Sequence, residues 1–305
     1  MKPVLLIKES GILEKGLYGT LVEYSRRPIL PMHMPGHKRN PAFVMGNPYG
    51  IDVTEVSGLD DLHRPEGVIR RLMDRVTALY GSDQSYLLVN GSPGGVLSAV
   101  SACCRHGDRI VMARNCHASV YHAVRLLGLR PVYVYPSAEG GEMEHLGIAG
   151  AISASAVETA LRAHPDTSCV VLTSPTYEGV VSPVRDIGAV TGRHGVPLIV
   201  DEAHGAHFNW HPFFPPTAFE EGADLVVESL HKTLPALTQT GVLHARFRLV
   251  SRERLEWCLR TFQSSSPSYV LMAGIDRCFS YIEQEGAEAF ETYVKNLQVF
   301  VSWIA

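Results

Sequence analysis

Val196-Pro197-Leu198-Ile199-Val200-Asp201-Glu202-Ala203-His204-Gly205 is a short apolar run that ends on an acid. With no alternation of polar and apolar positions, it reads as a strand buried on both faces, the pattern of an interior strand in a parallel sheet. Asp201 then stands at the carboxyl end of that strand, the edge at which open α/β sheets bind ligands. A second apolar run, Asp224-Leu225-Val226-Val227, leads into Ser229-Leu230-His231-Lys232-Thr233-Leu234-Pro235. It brings Ser229, His231 and Lys232 to the same edge, with Lys232 standing 31 positions after Asp201.

A lysine that follows a strand is ordinarily a solvated loop cation. An acid delivered to the same edge changes that reading. An amino group that forms a Schiff base with a carbonyl cofactor needs a partner acid to keep the pyridine nitrogen protonated. Lys232 and Asp201 together suggest a lysine-held pyridoxal cofactor. Three further segments follow strands and point to the same edge. In Asn90-Gly91-Ser92-Pro93-Gly94-Gly95, backbone amides and a helix N-terminus are candidates to hold a phosphate. In Arg114-Asn115-Cys116-His117, the His117 ring is available to cover a cofactor ring. In Thr173-Ser174-Pro175-Thr176-Tyr177-Glu178-Gly179, the hydroxyls are candidates for a ring oxygen or the substrate.

Outward from these segments the chain alternates apolar runs with helical patterns from about residue 85. Strands are expected at 86–89, 109–112, 132–135, 169–172, 196–200 and 224–227, with a final one at 241–245; the intervening helices are expected at 96–104, 119–127, 156–163 and 187–194. Such alternation predicts an α/β fold with a mainly parallel, seven-stranded sheet flanked by helices. Before residue 85, Pro28, Pro31, Pro35, Gly36, Pro41, Gly46, Pro48 and Gly50 break the chain into an irregular N-terminal arm, followed by a helix over 67–80. After residue 251 the pattern is helical to the end. The expected divisions are an arm and first helix over 1–65, a cofactor-binding large domain over 66–290, and the start of a further C-terminal region over 291–305.

Composition narrows the function classes. The 305 residues are 46% hydrophobic and 19% charged, enough apolar material for a sizeable core, and the net charge of −4 offers no basic footprint for nucleic acid. Lys8 and Glu9 interrupt the apolar run of residues 1–10 before it reaches signal-peptide length, and no stretch approaches the ~20 apolar residues of a membrane span. Six cysteines without a Cys-x-x-Cys pair read as reduced, packed thiols, so the expected setting is cytoplasmic. No metal site is expected. Pro35 and Gly36 separate His33 from His37, and Gly205 follows His204 in a loop before His207. No Gly-x-Ser-x-Gly elbow supports a serine hydrolase, and no Gly-Lys-Ser/Thr follows the glycine loop as a nucleotide P-loop requires.

The chain resembles the pyridoxal-phosphate-dependent ornithine/lysine/arginine decarboxylases of the aspartate-aminotransferase fold. The resemblance rests on His33-Met34-Pro35-Gly36-His37-Lys38, Asp52-Val53-Thr54-Glu55, Gly58-Leu59-Asp60-Asp61-Leu62-His63 and Asn90-Gly91-Ser92. It extends through Arg114-Asn115-Cys116-His117, Thr173 to Gly179, Asp201 to His207, and Ser229 to Pro235. It implies the large domain of fold type I, with pyridoxal 5'-phosphate bound to Lys232, paired with Asp201 through its ring nitrogen and stacked by His117. It further implies that Ser92, Gly94, Ser229 and His231 hold the phosphate, that Ala203 packs under the ring and that His204 lies close by. The Ser264-Ser265-Ser266-Pro267 segment would reach the phosphate of a partner subunit in a homodimer or larger homo-oligomer.

Two departures stand out. Pro93 replaces the Ser or Thr common in the family, removing a hydroxyl and an amide donor from the phosphate cup. Family members also continue into a smaller domain beyond the position of Ala305, so the chain resembles a truncated or split member. The implied activity is decarboxylation of lysine, arginine or ornithine to the amine and carbon dioxide. The rivals are an aminotransferase or other pyridoxal lyase of the same fold, and a subunit that binds cofactor or a partner chain without turnover.

Overall fold

The computed structural model describes residues 16–137 and 147–304; the apolar run of residues 1–10 lies outside the described residues. The chain divides into two compact units, Met1–His33 and Met34–Ala305. In the first, a helix α1 spans Leu17–Ser25, and the Tyr24 hydroxyl hydrogen-bonds His33 Nε2.

The second unit holds the sheet. Its helices and strands in chain order are α2 (Val68–Tyr80), β1 (Gln84–Leu88), α3 (Gly91–Cys103), β2 (Arg109–Ala113), α4 (Ala118–Leu126), β3 (Arg130–Val134), α5 (Ala154–Ala163) and β4 (Thr167–Thr173). After them come α6 (Val184–His194), β5 (Leu198–Asp201), β6 (Leu225–Glu228), α7 (Leu230–Thr233), β7 (Gly241–Ala245), α8 (Arg252–Phe262) and α9 (Tyr269–Ile304). The seven strands form one sheet in the order β1-β7-β6-β5-β4-β2-β3, parallel except that β7 runs antiparallel to both of its neighbours. The expected mainly parallel α/β architecture is therefore the observed one.

Burial explains why these runs are strands. Leu198, Ile199, Val200, Leu225, Val226 and Val227 are all 0% exposed, as interior strands covered by helices on both faces must be. Each such side chain contributes roughly 1.5–3 kcal/mol on removal from water. Helix α3 lies directly on the sheet at Gly95, where a Cβ would stand 2.5 Å from Leu88 Cδ1 and 2.9 Å from Val227 Cγ1. Asp224 holds the start of β6 in place. Its fully buried carboxylate accepts from the Leu198 N–H at 2.9 Å and pairs with Arg248 at 3.1 Å.

The register lines up the chemistry. Thr173 lies opposite Asp201, Asp201 opposite Val227, and Glu228 opposite Val242, while Leu88 lies opposite Gly241. The carboxyl ends of β1, β4, β5 and β6 therefore share one edge with the start of β7. Helix α9 runs unbroken over 36 residues, through the position expected to begin a further region at 291. No described helix is long and apolar enough to cross a membrane, and all six cysteines are free thiols.

Candidate active site

Lys232 lies in α7, a four-residue helix anchored by the fully buried Leu230. Its Nζ donates to His204 Nε2 at 3.0 Å. A donor on Nε2 requires that nitrogen to be bare, so the His204 imidazole is neutral with its proton on Nδ1. Burial, then the adjacent Lys232 charge, brings the His204 pKa down from 6.5 to about 4. Lys232 is likewise lowered from the ordinary lysine value by burial, while the Asp201 charge pulls in the opposite direction.

Asp201 is 3% exposed at the end of β5. Burial raises its pKa, against the Lys232 charge and the hydrogen bond from the Ala203 N–H. That bond, at 3.2 Å to Oδ1, is the one hydrogen bond its side chain makes among the described residues. Ala203 thus lies beside the acid, held by its own backbone.

Below pH 6.5 the unfolded chain protonates this histidine position before the folded chain does. Its contribution to stability is present above 6.5 and is lost as pH falls through about 4. His204 is accordingly expected to titrate near pH 4 by histidine NMR; titration at 6.5 would mean that the ring is solvated and does not hold Lys232.

The remaining predicted residues, Ser265 excepted, occupy the same edge. Ser229 precedes α7, but its hydroxyl makes no cap, because it donates instead to Ser92 Oγ at 2.9 Å. This bond joins the loop after β6 to the first turn of α3. Gly91 takes a left-handed φ of 72° there, a conformation that glycine adopts without steric cost. Its N–H donates to Gln239 O at 2.9 Å, and Pro93 has none. Ser92 and Gly94 hold the other amides of that first turn, which a helix leaves without intrahelical acceptors. His231 Nδ1 donates to Thr240 O at 2.9 Å, so its neutral ring presents a bare Nε2. Its carbonyl accepts from the Gly36 N–H at 2.7 Å, tying the Pro35-Gly36 turn to α7.

His117 caps α4: Nδ1 accepts from the Ser119 N–H at 3.2 Å and lies 2.9 Å from Ser119 Oγ, which leaves its proton on Nε2 and its ring exposed. Thr173 Oγ1 is buried without a well-formed hydrogen bond, its polar neighbour being the Cys116 thiol, which burial pushes up to about 12. Tyr177, 81% exposed, sets its ring edge-on to His204 at 5.5 Å. Ser265 stands apart. It lies in an exposed turn where Ser264 Oγ accepts from the Ser266 N–H and the Ser264 carbonyl accepts from His63 Nε2, with no bond to the Lys232 group. A cavity of about 340 Å³ lined by Leu62, Arg70, Tyr86, Glu256, Arg260 and Gln263 shares none of the site residues.

The residues present fit pyridoxal phosphate. An amine lowered toward neutrality can add to a carbonyl, and a buried carboxylate with one backbone partner can accept a ring N–H. The unpaired Thr173 Oγ1 and the hydroxyl-rich first turn of α3 offer donors to a ring oxygen and a phosphate.

A family model described as Orn/Lys/Arg decarboxylase, major domain, matches residues 15–302. Among curated proteins, the uncharacterized protein YaaO of Bacillus subtilis is 40% identical over 274 residues, covering 88% of this chain and 56% of that protein. An arginine decarboxylase of the same organism is 33% identical over 289 residues, covering 92% of this chain and 58% of that protein. The chain thus spans somewhat over half the length of these relatives. Among solved structures, the constitutive lysine decarboxylase of E. coli matches with a TM-score of 0.70 and 21% identity over 90% of this chain and 42% of that one. A serine palmitoyltransferase of Sphingomonas wittichii matches with a TM-score of 0.57 and 19% identity over 76% of this chain and 55% of that one.

Proposed function

Because the chain belongs to the Orn/Lys/Arg decarboxylase family, we propose that it provides the cofactor-binding part of an enzyme that decarboxylates a basic amino acid. The substrate class is lysine, arginine or ornithine, and the cofactor is pyridoxal 5'-phosphate. The observation that carries this reading is the half-buried Lys232 amine, held by a neutral imidazole and offset by the buried Asp201 carboxyl.

When bound, pyridoxal phosphate supplies the electron sink for the pair left behind as the bond from Cα to the carboxylate breaks. Every other task falls to the chain. Lys232 Nζ gives the covalent attachment, and burial keeps a larger share of it in the neutral, nucleophilic form. Asp201 would hold the proton on the ring nitrogen. His117 would cover the ring, and Ala203 would pack on its other side. Gly91, Ser92, Pro93 and Gly94, with Ser229 and His231, form the phosphate cup, and an anion there favours the doubly protonated His231 ring. The reaction takes up one proton for each carbon dioxide released. Lys232 Nζ, with His204 Nε2 at 3.0 Å as its proton partner, is the group that delivers it.

The assignment extends to organisation. Residues 66–290 make the cofactor-binding domain, following the 1–65 arm in sequence, residues 291–305 open a further region, and Ser265 serves the phosphate of a second copy in a homodimer. The test is to add pyridoxal phosphate and each basic amino acid, then measure carbon dioxide and amine with and without a 2-keto acid. Release independent of the keto acid, together with a borohydride-trapped label on Lys232, is expected. Amino-group exchange that requires the keto acid, or no label, overturns the reading.

A further inference from the structure

Directly behind Asp201 and Ser229 lie two more acids that neither the cup nor the ring uses. Glu202 follows Asp201, Glu228 precedes Ser229, and their side chains are 2% and 0% exposed. Glu202 Oε1 accepts from the Ala218 N–H at 2.8 Å. Glu228 Oε2 accepts from the Tyr80 hydroxyl at 2.9 Å, with His244 Nε2 at 3.8 Å. The other oxygen of each acid, Glu202 Oε2 and Glu228 Oε1, is buried and receives no hydrogen from any other group among the described residues. Because Asp201 lies opposite Val227 in parallel strands, the two acids follow paired residues and stand side by side at the sheet edge, where their carboxyl groups act on each other.

Two ionised carboxylates cannot hydrogen-bond, since neither has a hydrogen to give. We infer that Glu202 and Glu228 share a single proton, carried by Glu202 Oε2 and donated to Glu228 Oε1, and that this pair is a positioning device that clips the ends of β5 and β6 together beneath the cofactor site. The placement of the proton follows from the surroundings. Tyr80 donates to Glu228 and stabilises its charge, and His244 stands on the same side, its Nδ1 bonded to Ser85 Oγ at 2.8 Å. Glu202 has only a backbone amide, and faces Glu220 as a further negative group. Burial, then the Glu228 charge, holds the Glu202 carboxyl well above the usual carboxylate range. The other titratable neighbours are His207, packed against Phe208 and Phe214, and Cys278, which faces Tyr80 from α9; neither offers a positive charge to Glu202.

The clip adds to the parallel β5–β6 ladder, beyond which the Glu202 N–H donates to Val227 O at 2.9 Å. Between them they fix Asp201 and Ser229 relative to each other, and so fix the acid relative to the phosphate cup. That positioning role rests on the proposed function; the shared proton does not, and the experiment separates them. In the cofactor-free protein near pH 7, an infrared difference between the parent and Glu202→Gln is expected to show the C=O stretch of a protonated carboxylic acid, lost in the variant.

The Gln amide keeps both hydrogen bonds and cannot ionise. The sign of the pH effect follows: an acid whose folded pKa is raised lends full stability below its ordinary 4.5 and loses it as pH rises toward the folded value. The melting temperature of Glu202→Gln should therefore exceed that of the parent above pH 4.5, by a margin that widens with pH. A missing acid band, or a Gln variant less stable than the parent near neutrality, overturns the shared proton. A band lost instead in Glu228→Gln overturns its placement. For positioning, Glu202→Ala is expected to weaken pyridoxal phosphate binding more than tenfold and Glu202→Gln less than threefold. Equal affinities in the folded Ala variant and the parent overturn that role while leaving the proton intact.

Discussion

Lys232→Ala is expected to lower carbon dioxide release from a basic amino acid by about 10³-fold or more, because one side chain performs two tasks in the proposed reaction. It holds the cofactor covalently, and it delivers the proton taken up at Cα. Neither task passes to a neighbour. His204, the one group hydrogen-bonded to Nζ among the described residues, has a pKa near 4 and carries almost no proton to give at neutral pH. The residues proposed for the cup make hydrogen bonds of their own, Ser229 to Ser92 and His231 to Thr240, so the variant should still bind pyridoxal phosphate reversibly and without a borohydride-trapped label. Lys232→Arg sharpens the comparison. It retains a cation beside Asp201 but cannot lose a proton at accessible pH, and it should be as inactive as the alanine variant. Retention of more than about a tenth of parental release in either variant, against the 10²–10⁴-fold usual for a lost acid–base group, would remove Lys232 from the centre of the reaction.

The features legible in the sequence and those that were not differ in the range of the interactions behind them. Strand β5 was visible because a strand covered on both faces must be apolar throughout, and Asp201 was visible because an acid immediately after such a run breaks the pattern. The Asn90 to Gly95 turn announced itself by its glycines, two of which the fold requires: Gly91 for its positive φ and Gly95 for close contact with Leu88 and Val227. Pro93 signals in the sequence itself the loss of a hydroxyl and an amide donor. The use of the Gly91 N–H by Gln239, 148 positions away, was not readable.

Glu228 was missed for the same reason. It follows an apolar run just as Asp201 does, but its meaning comes from Tyr80 and His244, which the sheet brings in from α2 and β7. Local pattern places a residue at a sheet edge; only the crossovers determine which side chains meet there. Helix α1 lay in a stretch read for its prolines and glycines, which mark the turns after it and not the nine residues before them.

The charge balance around Asp201 makes Asp201→Asn the second decisive substitution, with an expected loss of about 10²- to 10³-fold in release, the scale of removing one preorganised electrostatic partner. Asn is close in shape, and its side-chain oxygen still accepts the Ala203 N–H, so folding should survive. What disappears is the negative charge that holds a proton on the ring nitrogen. A second consequence separates this loss from simple misplacement. The Asp201 charge favours the protonated form of Lys232, against burial, which lowers its pKa. Without that charge burial acts alone, so the pH at which Lys232 titrates should fall further. Asp201→Glu keeps the charge with one more methylene, and should therefore recover part of the rate and the parental position of the Lys232 titration. A full rate in Asp201→Asn, or a Lys232 titration that moves upward, would show that the acid beneath the site neither polarises the ring nor faces the lysine.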